Sequence, residues 1–581
     1  MNSKQVKKFS LRHRHVFVIM FFFMLAITLL VRVVDIQIKD RDFLINKGKQ
    51  QYNKVESIPS VRGKILDRDG GLLAISVESE SIYVRPQAFL SEKKRWGELE
   101  AVIGQEEGYL NRRMASREKA NFVYLQPRLI SPEIANQVRA LKFSGVGFEK
   151  QLSRFYPHKQ ETSHLLGFTG DDHNGLEGME LLYNDYLAGL PGKQRIFQDA
   201  KKNIIREPSI INYPQPGKDL VLTVDQRLQY IAFKYLSEAV EKHNADAGSL
   251  IILEADSGEV LAITNQPSFN PNRRSTMEPY RVRNRAVTDT FEPGSTIKPF
   301  TAAAVISNGL YNAESEIDTS PGRFQLGNYW VGDVKNYGVL TVRQILAKSS
   351  NVGAIKISQG LEAELFWGLL NTVGFGNPTG LMFPGESFGR LKDFSFWHPT
   401  ERATLSYGYG MAVTACQLAK AYNVIANDGL SIPLTLVKQE PGNVLRERVL
   451  KSSVASEMRN MLLTAVDSGT GKLAKIPGYS VAGKTGTVRK SASGGYLKGQ
   501  HTAIFAGIFP AIQPKLVGVV VIDNPSEGGG GSVSAPVFAA VMKEAARILS
   551  IIPDLDVEMV RDTSLVAESG GLLNQRRDVS R

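Results

Sequence analysis

The sequence predicts an α+β protein on a membrane tether: a single N-terminal transmembrane helix, an elongated mainly β region, and a C-terminal domain of helices packed on an antiparallel sheet. Three observations lead there. Val16 to Val31 is an unbroken apolar run apart from Thr28, and it follows a basic start without acids. Residues 36–220 are polar and strand-like, punctuated by turn signals such as Asp67-Arg-Asp-Gly-Gly71 and Gln215-Pro-Gly217. From about residue 221 a helical pattern, a strand pair, a long helical block and three closing strands succeed one another.

The elements follow in chain order. At 581 residues the chain exceeds one core and divides into domains. Residues 1–15 carry Lys4, Lys7, Lys8, Arg12 and Arg14 and form a short basic tail. Residues 16–35 form the anchor, with Arg32 reaching toward the interface. A cleavable signal peptide is the rival, but no small-x-small site follows; the next residues are the bulky Val33-Val-Asp-Ile-Gln-Ile38. The positive-inside rule puts the tail in the cytoplasm and everything beyond about residue 35 across the membrane. Residues 36–220 form the first of two regions beyond the membrane, where Arg62-Gly63 and Gly175-Leu-Glu-Gly-Met-Glu180 suggest tight packing between segments. Asp67-x-Asp69 with Glu78 resembles a calcium loop, but Gly71 and Leu72 stand where an oxygen ligand and a glycine are needed, so a hairpin-type turn is expected.

In the second region, 221–555, Gln226 to Lys242 has helical periodicity. Gly248 to Leu253 and Val260 to Ile263 read as strands around an Asp256-Ser-Gly258 turn. Strands near 479–488, 501–510 and 515–523 close the sheet, and 556–581 is a polar tail. The net charge of +12 is spread over the chain, with no zinc-finger spacing, so it reads as a basic surface rather than a nucleic-acid site. The single cysteine, Cys416, excludes an intrachain disulfide or a Cys-based metal cluster and reads as a small buried hydrophobe.

Three short motifs occur in order: Ser295-Thr-Ile-Lys298, Ser349-Ser-Asn351 and Lys484-Thr-Gly486. Pro299 is tolerated only in a first helical turn, so it pins Ser295 near a helix N-terminus, where free N–H groups and the dipole favour an oxyanion. At i and i+3 the Lys298 amine can reach the Ser295 hydroxyl and take its proton, provided burial or a second cation such as Lys484 lowers its pKa. Ser349 and Asn351, in a turn between helical stretches, offer a hydroxyl and an amide to one cleft: a proton relay and a substrate-backbone contact. Ser480-Val-Ala-Gly-Lys-Thr-Gly-Thr-Val488 is a small-residue strand along which a peptide can lie, with Lys484 and Thr485 holding a carboxylate. The Ser295 and Thr487 N–H groups would form the oxyanion hole. Taken singly, each motif is explained by caps and turns. Gly478 to Thr485 also matches a phosphate-loop pattern, which would require a helix to follow; Gly486-Thr-Val488 continues instead as strand.

The chain resembles the class B penicillin-binding proteins, most closely the division-specific septal peptidoglycan transpeptidase (FtsI-type). The resemblance runs through Arg62 to Gly70, Gly175 to Glu180, Arg285-Ala-Val-Thr-Asp-Thr-Phe-Glu-Pro-Gly-Ser-Thr-Ile-Lys-Pro299, Tyr407-Gly-Tyr-Gly410, Val481 to Thr487 and Ser532 to Phe538. One departure is Glu527-Gly-Gly-Gly-Gly531, which lacks an aromatic residue before the glycines. The resemblance implies a D,D-transpeptidase in which Ser295 attacks a D-Ala-D-Ala stem peptide, releases D-alanine and forms an acyl-enzyme that a neighbouring stem's amine resolves. Ser295, Lys298, Ser349, Asn351 and Lys484 would be catalytic, and Thr485, Gly486, Thr487 and Tyr407 would bind substrate. β-Lactams would acylate Ser295, and no metal or organic cofactor is expected. Residues 36–220 would be a non-catalytic pedestal that contacts a SEDS-family glycosyltransferase and other division proteins of the membrane, and residues 221–555 the transpeptidase domain. The alternatives are a class D-like β-lactamase or membrane β-lactam sensor, which needs no pedestal, and a division scaffold.

Overall fold

The computed structural model describes residues 11–125, 130, 132–198, 204–273, 277–439, 444–492 and 495–555. The expected tail at 556–581 and most of the basic N-terminal tail lie outside the described residues. Contacts divide the chain into two compact units, 1–61 with 189–217, and 62–188 with 218–581.

In the first unit the helix Leu11–Val34 continues through a π-helical turn, Asp35–Lys39. His13–Lys39 is the one helical stretch among the described residues long and apolar enough to cross a membrane, and its surface is bare. Inside it, Thr28 donates its hydroxyl to the Met24 carbonyl at 2.8 Å, which satisfies the one polar side chain in the run. A second helix, Arg41–Tyr52, leads to an antiparallel three-stranded sheet of Asn53–Ile58, Gly192–Gln198 and Ile204–Asn212.

In the second unit, residues 62–188 build on the long strand Leu72–Val84, paired with Val146–Phe155. The two polar motifs expected to pack there do so through charge. Buried Arg62 donates to the Glu180 carboxylate at 2.6 Å and to the Glu180 carbonyl at 2.8 Å, and Arg154 donates to the other carboxylate oxygen at 2.7 Å. The glycines of the second motif permit that approach: a Cβ at Gly175 would stand 1.9 Å from the Glu180 carbonyl oxygen. The Asp67 carboxylate accepts the N–H groups of Asp69 and Gly71 within its turn and, through its other oxygen, the N–H of Gln226 at 3.4 Å.

The region from residue 221 follows the expected order. Helix α1 is Gln226–Lys242, capped by the Asp225 carboxylate. Strands β1 (Ala247–Glu254) and β2 (Val260–Gln266) form the first pair. A 3₁₀ turn, Gly294–Ile297, runs into α2 (Lys298–Ser307). A hairpin of β3 (Arg323–Leu326) and β4 (Tyr329–Gly332) precedes α3 (Val342–Lys348) and α4 (Asn351–Ser358). Helices α5 (Ala415–Ala426) and α6 (Ser452–Asp467) follow. Strands β5 (Ala482–Ala492), β6 (Gly495–Phe509) and β7 (Leu516–Asp523) and helix α7 (Ala535–Ile548) close the domain. The sheet order is β2-β1-β7-β6-β5, antiparallel throughout, so the first strand pair and the last three strands form one sheet with β5 at its edge.

The sheet's two faces explain its composition. β1, β2 and β7 are buried along nearly their whole lengths, because helices cover both sides. One core cluster includes α2 and α5; the other includes α1 and α7. The first continues into residues 65–187, so 62–188 and helices α2 and α5 share a core. Cys416 is fully buried on α5, as its apolar surroundings predict.

Candidate functional site

Pro299 sits in the first turn of α2, as its missing N–H requires, and Asn308 with Gly309 (φ +68°) ends the helix. Ser295 therefore lies in the preceding 3₁₀ turn, on the approach to the helix. That turn is clamped from three sides. The Gly294 N–H donates to the Gly408 carbonyl at 3.0 Å, and the Tyr422 hydroxyl of α5 donates to the Thr296 carbonyl at 2.9 Å. Gly486 of β5 comes so close that a Cβ there would stand 3.1 Å from Thr296 Cγ2 and 3.2 Å from the Pro293 carbonyl oxygen. The small residues of β5 are thus what lets the edge strand lie against the Ser295 turn.

Ser349 takes the left-handed conformation (φ +62°) at the end of α3, and Ser350 then caps α4 through the Gly353 N–H. This reversal turns both Ser349 and Asn351 toward Lys298. The Lys298 ammonium nitrogen lies 2.6 Å from the Ser349 carbonyl, 2.7 Å from Asn351 Oδ1 and 3.4 Å from Ser349 Oγ. Lys484 Nζ, from β5, donates to the same Ser349 hydroxyl at 2.9 Å and to the Thr485 carbonyl at 3.2 Å. Two lysines thus converge on one serine oxygen, and both are 0 % exposed.

Burial lowers both pKa values. Lys298 is held well below the ordinary amine range, first by desolvation and then by repulsion from Lys484, with Asp333 opposing. Lys484 is lowered by desolvation to about 7.

The structure brings Lys298, Ser349, Asn351 and Lys484 into one hydrogen-bonded cluster. It differs from the sequence expectation at one link: Lys298 makes no hydrogen bond to Ser295 among the described residues. The reason is local. The chain is 3₁₀ rather than α-helical across residues 294–297, and the lysine's donors meet three acceptors on the 349–351 turn. Such contacts often tighten only when substrate arrives. Thr485 is buried and shares a hydrogen bond with the Thr470 hydroxyl at 2.7 Å. Thr487 is exposed beyond it on β5, its hydroxyl accepting the Gly530 N–H at 3.1 Å. Tyr407 packs beside Ala354 and Ile355 of α4, its ring 5.4 Å from that of Tyr409. Its hydroxyl joins no hydrogen bond in the cluster. Because β5 runs on as strand to Ala492, the phosphate-loop alternative lacks its helix.

Sequence reasoning missed Asp333. At the end of the β3–β4 hairpin its carboxylate accepts the Ser350 hydroxyl and the N–H of Asn351, both at 2.5 Å, and the Val352 N–H at 3.1 Å. A lone aspartate well upstream of the turn it holds gives no local signal. Glu292 was also missed. It accepts the Gly410 N–H at 2.9 Å and the Tyr496 hydroxyl at 3.4 Å, and burial raises its pKa. Beside it opens a cavity of about 450 Å³ whose lining includes Phe291, Val488 and Arg489.

Comparison with known proteins identifies the lineage. The family model described as "Penicillin binding protein transpeptidase domain" matches residues 248–543, and that described as "Penicillin-binding Protein dimerisation domain" matches 57–222. The chain belongs to the penicillin-binding proteins. This penicillin-binding protein is 36% identical over 545 residues to a "Probable peptidoglycan D,D-transpeptidase PbpC" of Pseudomonas aeruginosa, covering 93% of this chain and 96% of that one. It is 35% identical over 534 residues to "Peptidoglycan D,D-transpeptidase FtsI" of Escherichia coli K12, covering 90% of each. Among solved structures it resembles penicillin-binding protein 3 of Mycobacterium tuberculosis complexed with aztreonam, with a TM-score of 0.66, 27% identity, and coverage of 86% of this chain and 99% of that one. The transpeptidase domain of Burkholderia pseudomallei penicillin-binding protein 3 matches with a TM-score of 0.54 and 37% identity over 58% of this chain and 98% of that one. It is a membrane-associated serine D,D-transpeptidase of this family and a target of β-lactams.

Proposed function

We propose that this penicillin-binding protein cross-links peptidoglycan stem peptides at the division septum through an acyl-enzyme on Ser295. The observation that carries the reading is the convergence of two fully buried lysines on the Ser349 hydroxyl, next to the turn that bears Ser295.

In the proposed step neutral Lys298 takes the Ser295 proton as Ser295 Oγ bonds to the carbonyl carbon of the penultimate D-alanine. The N–H groups of Ser295 and Thr487 stabilise the oxyanion. The C–N bond to the terminal D-alanine breaks, and the proton held by Lys298 reaches the leaving amine through Ser349. Asn351 orients the substrate backbone, while Lys484, Thr485 and Gly486 receive the peptide along β5, with its carboxylate toward Lys484 and Thr485. An acceptor amine then attacks the ester carbonyl, loses its proton by the reverse route and frees Ser295. Tyr407 walls the cleft.

The domain limits of 36–220 for the pedestal and 221–555 for the catalytic domain belong to the same proposal. So do a cytoplasmic N-terminus, an extracytoplasmic catalytic domain, and pedestal contacts with a SEDS-family glycosyltransferase and other division proteins. Support comes from the basic residues before the apolar helix and from the likeness to FtsI.

Mass spectrometry after penicillin treatment tests the catalytic core. The expected result is one stable adduct on the peptide containing Ser295. An adduct elsewhere would overturn the assignment of the nucleophile, and rapid penicillin turnover without an adduct would favour a β-lactamase. Loss of midcell localisation in dividing cells would overturn the septal part.

A further inference from the structure

The β3–β4 hairpin has two unlike faces. Phe324, Leu326 and Val331 pack inward against the cluster of Ala354, Ile355, Ala403 and Tyr407. Gly332 and Asp333, at the hairpin's end, are bound to the catalytic turn: the Asn351 side-chain amide donates to the Gly332 carbonyl at 3.2 Å, beside the Asp333 bonds described above. The hairpin is therefore fixed to the residue that faces Lys298.

Its other face carries one bare aromatic ring. Trp330 pairs with Gln325 across the hairpin, on the face opposite Phe324 and Val331. It is 58 % exposed, and of the chain's four tryptophans it alone is exposed. The Arg323 guanidinium lies over its ring, 4.7 Å from the centroid, and makes no ion pair among the described residues. At the tip Tyr329, which pairs with Leu326 and so lies on the opposite face from Trp330, is 78 % exposed. A large apolar ring left in water, with a cation over it and two residues before the carbonyl that the Asn351 amide bonds, is an arrangement for meeting a ligand.

We infer that this face is a glycan subsite, on which the Trp330 indole stacks against a sugar ring of the strand that carries the stem peptide. The occupant follows from continuity with the cleft. A stem peptide held at Asn351 remains attached to a polymer of N-acetylated sugars, and that polymer has to cross surface next to the cleft. The apolar C–H face of a pyranose fits an indole, and Arg323 offers free donors to ring hydroxyl and acetamide oxygens. The inference rests on the proposed action at peptidoglycan.

The test uses the full chain in detergent, before and after penicillin, with peptide-free chains of alternating N-acetylglucosamine and N-acetylmuramic acid as the probe. Expected are a saturable change in tryptophan emission and co-sedimentation with the glycan in both states. Trp330→Ala should weaken co-sedimentation at least tenfold, with thermal unfolding unchanged, and Trp330→Phe should bind within a few-fold of the parent. The inference is overturned if the parent does not bind the glycan, if Trp330→Ala binds as the parent does, or if binding requires the stem peptide. Absence of a Ser295 adduct would instead count against the catalytic reading, so the two failures are distinct.

Discussion

The carboxylate of Asp333 holds the backbone N–H of Asn351 at 2.5 Å while its partner oxygen takes the Ser350 hydroxyl at the same distance. One side chain thus fixes the turn from which Ser349 and Asn351 face Lys298. It is also the anion that opposes the lowering of the Lys298 pKa. Replacing Asp333 with Asn keeps one acceptor and removes the charge. Acylation by a labelled penicillin should fall by about 10- to 100-fold, since a small misplacement of catalytic groups costs that much. Asp333→Ala should fall further. Stopped-flow acylation with unfolding controls checks both; parent-like rates in Asp333→Ala would remove the positioning role.

Lys298 is predicted to act as a base and not as a structural cation. Lys298→Met keeps the volume of a fully buried side chain and removes the amine, so the fold should persist. Acylation should drop by about 10²- to 10⁴-fold, the usual worth of a positioned base. Ser295→Ala should abolish the adduct outright. A Lys298→Met protein that acylates at the parent rate would move the base elsewhere.

Gly408 supports the nucleophile from behind. It has φ +93°, and a Cβ there would stand 2.0 Å from the Gly294 carbonyl oxygen. Gly408→Ala combines backbone strain with a collision one residue before Ser295. A loss of about 2 kcal/mol or more is expected, at the upper end for single substitutions. The same protein should acylate more slowly than its residual fold explains, as measured by active-site titration at temperatures below its melting point.

Much of this arrangement was legible in the sequence because it rests on local rules. Pro299 dates the helix start, Asn308-Gly309 its end, and the glycines of 483–486 the edge strand beside the Ser295 turn. The strand pair and the three closing strands were readable from apolar runs and turns, and their joining into one sheet followed from the need to bury them. What was not legible is long-range and polar. Nothing near Asp333 announces that it will meet residues 350–352, and no periodicity reveals that residues 65–187 share a core with the catalytic helices. The expected Lys298–Ser295 hydrogen bond failed for a related reason: i,i+3 spacing sets proximity, but the acceptors on a distant turn decide where the donors go.

Glu180 is 0 % exposed and joined to both Arg62 and Arg154. Arg62→Met should cost about 3–5 kcal/mol by leaving that buried cluster a cation short. The loss should appear as earlier thermal unfolding and faster proteolysis, with the penicillin adduct still forming at low temperature. A variant as stable as the parent would mean that the cluster is solvated and contributes little.

Lys484 gives the sharpest pH prediction. Its pKa lies near about 7 in the folded protein, against 10.5 for an ordinary lysine. Between those values the unfolded chain binds the additional proton, so this group makes stability rise with pH from about 7 to about 10.5; below about 7 both states are protonated and the burial penalty is constant. Lys484→Met removes the penalty. At pH 6 it should melt higher than the parent, by an amount on the order of a few kcal/mol, and the difference should shrink as pH rises through the window. The chemistry moves the other way. The cation that donates to Ser349 is lost above about pH 7, so the parent's second-order acylation constant should decline there. It should also decline in acid, as Lys298 gains its proton. Lys484→Met should acylate far more slowly at every pH and lack the alkaline limb. Paired melting curves and acylation profiles measure both halves, and a parent whose acylation constant still rises through pH 8 would show that the Lys484 charge is not what the reaction uses.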